Sequence, residues 1–293
     1  MELRVIWRGG LSGIVAGLLA FVFAKVLTEP LINKSIDYES GRDDAINALR
    51  KAAGLAVDPE GPDIVSRHVQ STWGIMTGLV GFGLAMGLIV AVVYLVLHGR
   101  FSIQMRTLAL TICGFGFLGI FLMPFLKYPA NPPAIGHEFT IHQRGQLYLV
   151  MVGSSLILLV LGTYAGHRLA AKFGVFYGSL IAAAGVLVVF AVLIGLLPSL
   201  GNLHANVAHA HDIGYGRSST ETPLPITDAQ GNIVYPGFPA DVLWKFRWYS
   251  VINQLLIWTT IGLCFSALLL RMFRGPKPSV PTESTETPVP AAV

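Results

Sequence analysis

"QSTWGIMTGLVGFGLAMGLIVAVVYLVL", residues 70–97, contains no Asp, Glu, Lys or Arg. A hydrocarbon core about 30 Å thick needs about 20 apolar residues in a helix to cross it. This stretch exceeds that length, and it sets the class of the whole chain. Five more stretches qualify, at about 8–27, 105–126, 146–166, 174–197 and 248–270. Composition agrees. Hydrophobic residues make up 53% of the chain and charged residues 12%, against roughly 25% charged in a soluble domain. Such a surface could not face water on all sides. The expected fold is an all-α integral membrane protein, a bundle of about six transmembrane helices with two large outer loops. It occupies residues 1–274, and 275–293 form a Pro/Ser/Thr-rich cytoplasmic tail expected to be disordered.

Arg4 and Arg8 precede the first apolar run and give it the look of a signal peptide. The run is long, however, and Thr28-Glu29-Pro30 follows it in place of a small-residue cleavage site. It reads as a retained first helix, with the first loop beginning at about Thr28. An even number of spans puts both termini on one side, with Arg4, Arg8, Arg100, Arg106, Arg168, Lys172, Arg271, Arg274 and Lys277 concentrated in short segments there. That density favours N-in and C-in. The formal charge of +4 is therefore a topology signal and no argument for nucleic acid.

Gly9, Gly13 and Gly17 recur every four residues, as do Gly74 and Gly78, Gly83 and Gly87, and Gly162 and Gly166. Small residues at that interval let helix backbones approach closely in lipid. Cys113 and Cys264 fall inside apolar runs and imply neither a disulfide nor a zinc site. There is no glycine-rich phosphate loop, no GxSxG and no HExxH. The expectation is a protein that is not an enzyme and holds no permanent cofactor.

The outer loops carry the chemistry. In the first, about 28–69, "DDAINALRKAAGL" has a short-helix pattern with Ile46, Leu49 and Ala53 on one face, broken at Asp58-Pro59 and Gly61-Pro62. "DIVSRHVQSTWG" then brings Arg67, His68 and Gln70 to the membrane boundary. The second holds "FLKYPANPPAIGHEFTIHQR", residues 125–144, with Pro129, Pro132 and Pro133 beside His137 and His142. These prolines suit a stiff extended frame. The third contains "LHANVAHAHD", which crowds His204, His209, His211 and Asp212 together.

Six of the eight histidines thus lie outside, and none lies near the middle of a span. A membrane cytochrome needs axial histidines inside the bundle, so that class is disfavoured. Imidazoles and carboxylates at an outer mouth suit cobalt, nickel or zinc. Candidate metal-contacting residues are Glu29, His68, His137, His142, His204, His209 and His211, although each loop histidine could simply be solvated. Glu29 could accept a cation or a proton, or pair with Lys25 four residues earlier. Lys127 and Arg144 would repel metal unless they pair with Glu138 or Glu29.

"RGGLSGIVAGLLAFVFAKVLTEPLINKSIDYE", "VSRHVQ", "LKYPANPPAIG" followed by Arg144, and "FPADVLWKFRWYSVINQLLIW" together resemble the CbtA family, predicted cobalt transporter subunits of bacteria and archaea. The matching residues are Glu29, Pro30, Glu39, Arg67, Gln70, Lys127, Tyr128, Pro129, Asn131, Pro132, Pro133, Arg144, Phe238, Pro239, Arg247 and Gln254. "HANVAHAH" matches no part of the family pattern. The resemblance implies an inner-membrane permease subunit for cobalt ion, with nickel as the alternative, linked to cobalamin synthesis. It also implies a small single-span, His-bearing partner, CbtB. From a different class, the chain could be a non-transporting scaffold whose outer loops dock a partner protein. Alanine at Glu29, His137 and His142 together separates the two by whether uptake or partner binding is lost.

Overall fold

A computed structural model describes residues 2–57 and 65–273. The breaks at Asp58-Pro59 and Gly61-Pro62 and the tail at 275–293 lie outside the described residues. Five helices are long and apolar enough to cross a membrane. We label the main elements α1 (Glu2–Ala52), α2 (Arg67–Leu97), α3 (Met105–Lys127), α4 (Ile141–Leu196), the short α5 (His204–Ala208) and α6 (Ala240–Phe273).

The fourth and fifth apolar runs both lie in α4. Its backbone leaves helical geometry at Gly174 (φ 79°, ψ 162°), a left-handed conformation that glycine adopts at little cost. The chain reverses there. Gly162 faces Val186, Gly166 faces Ala182 and Gly178 faces the backbone of Ala170. Limbs 141–173 and 175–196 are therefore an antiparallel hairpin closed by one residue.

α1 and α2 meet along the glycine stripe. A β-carbon on Gly13 would overlap the carbonyl of Gly83, and one on Gly87 would overlap the carbonyl of Gly9. Lipid is as apolar as leucine, so this seam is held by close van der Waals packing and not by escape from water. Gly74 and Gly78 have the same spacing but take no part, since a β-carbon on Gly78 would meet nothing within 4 Å. α3 and α6 complete the central core, where Tyr94, Ile257, Ile261, Phe265 and Leu269 are buried with Val5 and Ala16. The edge of the Phe265 ring meets Tyr94, with centroids 5.5 Å apart.

Two differences from the sequence reading matter for the site. First, α1 does not give way to a loop at Thr28. A π-helical turn spans Ala24–Thr28, and ordinary helix resumes at Glu29 and runs through Pro30 to Ala52. Pro lacks an N–H and its ring crowds the carbonyl four residues back in an ordinary helix. The wider π turn gives that ring room, so most of the expected first loop is helix. Further π turns lie at Gln70–Gly74 in α2 and Phe117–Leu122 in α3. Second, a small antiparallel ribbon joins β1 (Ile226–Thr227) to β2 (Ile233–Tyr235). Its turn is tied by Asp228, whose Oδ1 accepts from the backbone N–H groups of Gln230 and Asn232.

Candidate functional site

One end of the bundle gathers the second half of α1, the start of α2, the segment 128–140 and the segment 197–239. Leu31, Ile32 and Tyr38 of α1 pack there with Ile135, Phe238, Val242 and Phe246. Tyr38 donates to the Pro236 carbonyl, and Tyr235 donates back to the Tyr38 carbonyl. Arg42 donates to the carbonyls of Leu224 and Gly214. Helix α1 thus serves as the post around which the long third loop is wrapped.

The proline segment is tied to its surroundings at several points, but it is not the extended connection that its composition suggested, since the chain turns at Pro133-Ala134 with Ala134 at φ 72°. Lys127 Nζ donates to the carbonyls of Ile194 (2.7 Å) and Leu197 (2.8 Å). It therefore satisfies the open carbonyls at the end of α4 and pairs with neither Glu138 nor Glu29. Tyr128 donates to Pro198 O. Asn131 is held from both sides: its Nδ2 donates to Thr220 O (2.7 Å) and its Oδ1 accepts from Arg247 (3.0 Å). Pro132 is buried, and Ile135 N–H returns to its carbonyl.

Beneath this frame lies a residue that the sequence did not single out. Glu221 is fully buried, with φ +57°. Asn206 Nδ2 donates to its Oε1 at 2.7 Å. Around Oε2 stand Thr140 Oγ1 at 3.0 Å, the His137 N–H at 3.3 Å and Arg144 Nη1 at 3.4 Å. Thus Arg144 pairs with Glu221 and with neither acid expected. A buried carboxylate needs such a set of donors and a cation. The same network orients His137. The Asn206 amide nitrogen is engaged twice, with Glu221 and with Leu200 O. Asn206 Oδ1, 2.6 Å from His137 Nδ1, must therefore accept. The proton sits on Nδ1 and the lone pair on Nε2. Burial also lowers the affinity of this imidazole for a second proton. A neutral ring steered through its other nitrogen is the form in which histidine binds metals. The ring is flanked by Tyr215 and Phe139, with centroids 4.3 and 5.4 Å away.

Above the frame opens a cleft of about 760 Å³. Pro129, Pro132 and Pro133 form one wall, aromatic side chains line the depth, and Glu39, Glu138 and Arg144 supply charge. Burial, with repulsion from Asp43 and Glu138, raises Glu39 to about 7.

The remaining candidates are dispersed. Glu29 is buried at the π turn and does not pair with Lys25, because that turn breaks the four-residue register. Its Oε1 is bound by Arg67, which also donates to Asn33 at 2.9 Å. Lys25 instead crosses to α2, to Ser71 O (3.0 Å), Ser71 Oγ and Thr72 Oγ1. His68, His142, His204 and His211 are exposed. His209 Nδ1 lies 2.7 Å from Asp212 Oδ2 and its ring is 4.4 Å from Phe139, which brings it toward His137. Among the described residues, no three His, Cys, Asp or Glu side chains stand close enough to hold a metal ion. Gln70 donates to Val65 O, Phe238 meets the Tyr38 ring edge-on, and Pro239 O accepts from Leu243 N–H at the start of α6.

The sequence profile of a family described as "Probable cobalt transporter subunit (CbtA)" matches residues 2–270. No curated protein and no solved structure matches the chain.

Proposed function

Because this chain belongs to the CbtA family of probable cobalt transporter subunits, we propose that it is the permease subunit through which cobalt ion, with nickel as the alternative cargo, enters the cell. The proposal carries six crossings of a bacterial or archaeal inner membrane, with both termini inside and the cleft end outside. The basic residues near 4–8, 100–106, 168–172 and 271 support that orientation. The observation that carries the reading is the family match along nearly the whole chain.

In this reading the acidic rim of the cleft, Glu39 and Glu138, concentrates hydrated cations from outside. His137 offers one oriented neutral nitrogen, and His209 with Asp212 a second approach. Glu29 stands at the mouth of the bundle with Arg67 holding one of its oxygens, so the other remains for a cation. A small His-bearing membrane subunit of the CbtB kind supplies further ligands. Dispersed ligands suit a carrier better than a storage site, since an ion must leave each step it occupies.

The test is direct. Cells expressing the full chain with the small subunit are compared with empty-vector cells for radiolabelled cobalt accumulation. Uptake above the control, competed by nickel, is expected. Accumulation at the control rate, with membrane insertion confirmed, would refute the proposal.

A further inference from the structure

Polar groups inside a membrane bundle are costly when unpaired and mark function when they persist. Helix α6 carries three of them close together. Asn253 Oδ1, Gln254 Oε1 and Trp258 Nε1 are each buried without a hydrogen-bond partner among the described residues. Two more orphaned oxygens sit on α1 around its π turn, Thr28 Oγ1 and Glu29 Oε2. The two sets belong to helices that pack together. The edge-to-face contact of Phe23 with Tyr249, centroids 6.0 Å apart, fixes their relative height. Thr28 and Glu29 follow Phe23 toward the cleft end. Asn253 follows Tyr249 by one turn in the opposite direction on the same face of α6. At 1.5 Å per residue the carboxylate and the amides are separated by roughly 15 Å along the bundle. Deeper still, the Trp258 indole lies against Gly116, where no β-carbon could fit.

The chemistry of the set is one-sided. Four of the five orphaned atoms are oxygens, and no donor among the described residues reaches them. Two carboxamides on successive residues of α6, neither held in orientation by a hydrogen bond among the described residues, can turn their oxygens to a partly dehydrated cation on its way from the carboxylate. They are also neutral, so they bind weakly enough to release it. A purely structural amide pair would be expected to bond to a neighbouring helix, and this pair's carbonyl oxygens do not.

We propose that Asn253 and Gln254 form an intramembrane cation-binding step, reached from Glu29 along the α1–α6 seam and closed below by Trp258. It rests on the transporter reading above and gives that reading a route into the bilayer. The ligand class is a divalent cation that has shed part of its water.

Two measurements test it. In the first, cobalt uptake is followed at saturating cobalt for Asn253→Leu and Gln254→Leu, each at matched membrane level. The rate is expected to fall about tenfold or more, with Gln254→Asn recovering most of it because the amide is kept. In the second, Asn253→Cys is treated from outside with a membrane-impermeant thiol reagent, scored as labelling above the parent chain. Labelling slowed by cobalt is expected. Wild-type uptake rates in both leucine variants would overturn this step and leave the transporter reading standing. Failure of the unmodified chain to take up cobalt would instead remove the transporter reading. The thiol assay then still decides: an introduced thiol that is unreactive or insensitive to cobalt ends the proposal, and cobalt protection retains it.

Discussion

Glu221 lies in "TETPLP", where nothing in the local pattern marks an acid as different from its neighbours. Its importance comes from contacts with residues 137, 140, 144 and 206, far apart in the chain. Removing one partner of a buried charge pair leaves the other uncompensated and costs about 3–5 kcal/mol. Glu221→Ala is therefore expected to lower the thermal unfolding midpoint of the purified protein strongly. Glu221→Gln should do less harm, since it still accepts from Asn206. Equal stability of Glu221→Ala and the parent would contradict this account. Glu39 behaves in the opposite sense. Its carboxyl is raised from 4.5 to about 7 by burial and by Asp43 and Glu138. The folded chain holds this proton more tightly than the unfolded one, so the stability associated with it declines as pH rises from about 4.5 through about 7. Glu39→Gln should flatten that slope. It should also blunt the rise of cobalt uptake as pH passes about 7, where the parent gains a negative charge in the cleft. A pH profile of uptake identical in the two proteins would exclude Glu39 from cation collection.

At the scale of elements, the apolar runs were legible because lipid imposes a length and forbids charge. The glycine repeat of α1 was legible as a seam, but its partner was not. Gly74, Gly78, Gly83 and Gly87 look alike in sequence, and only the last two meet α1. The difference is geometric, and it makes a clean comparison. Gly13→Val should pry α1 from α2, with overpacking costing roughly 1–3 kcal/mol, and should reduce the folded fraction recovered from membranes. Gly81→Val, facing open space, should be close to neutral. Similar losses from both would mean that the seam is not where the structure has it. The continuation of α1 past Pro30 was illegible for a related reason. Proline is read as a stop, and only the preceding π turn, which has no reliable sequence signature, lets the helix pass.

Over the whole molecule, α4 has more apolar surface exposed than any other long helix, and it joins the rest through α3 with its Lys127 cap, through Arg144 on Glu221, and through Met151 and Phe190 packed with Leu200 and Leu203. Two apolar runs with Arg168 and Lys172 between them already announced a reversal. The single-residue turn at Gly174 did not stand out among so many glycines. A β-carbon built on Gly162 would lie 3.8 Å from the Val186 β-carbon, within the range of a disulfide. Gly162→Cys combined with Val186→Cys should therefore cross-link under mild oxidation in the membrane. The bond would form within one chain, as read by gel mobility after cleavage between the limbs. Absence of a cross-link in folded protein would rule out the hairpin. The histidine-rich segment was the loudest signal in the sequence, yet its members mostly face solvent. Spacing alone could not say which imidazole a buried amide would orient.

The π turn at Ala24–Thr28 works as a splice: it takes up one surplus residue and lets the helix beyond it keep its face. Excising Val26, an exposed residue, would remove that surplus and let ordinary helix run through, with the side chains that follow left close to their present phase. Glu29 would go on facing Arg67. The ring of Pro30 would lose the room that the wider turn gives it, so the shortened helix would bend or break where the longer one passes.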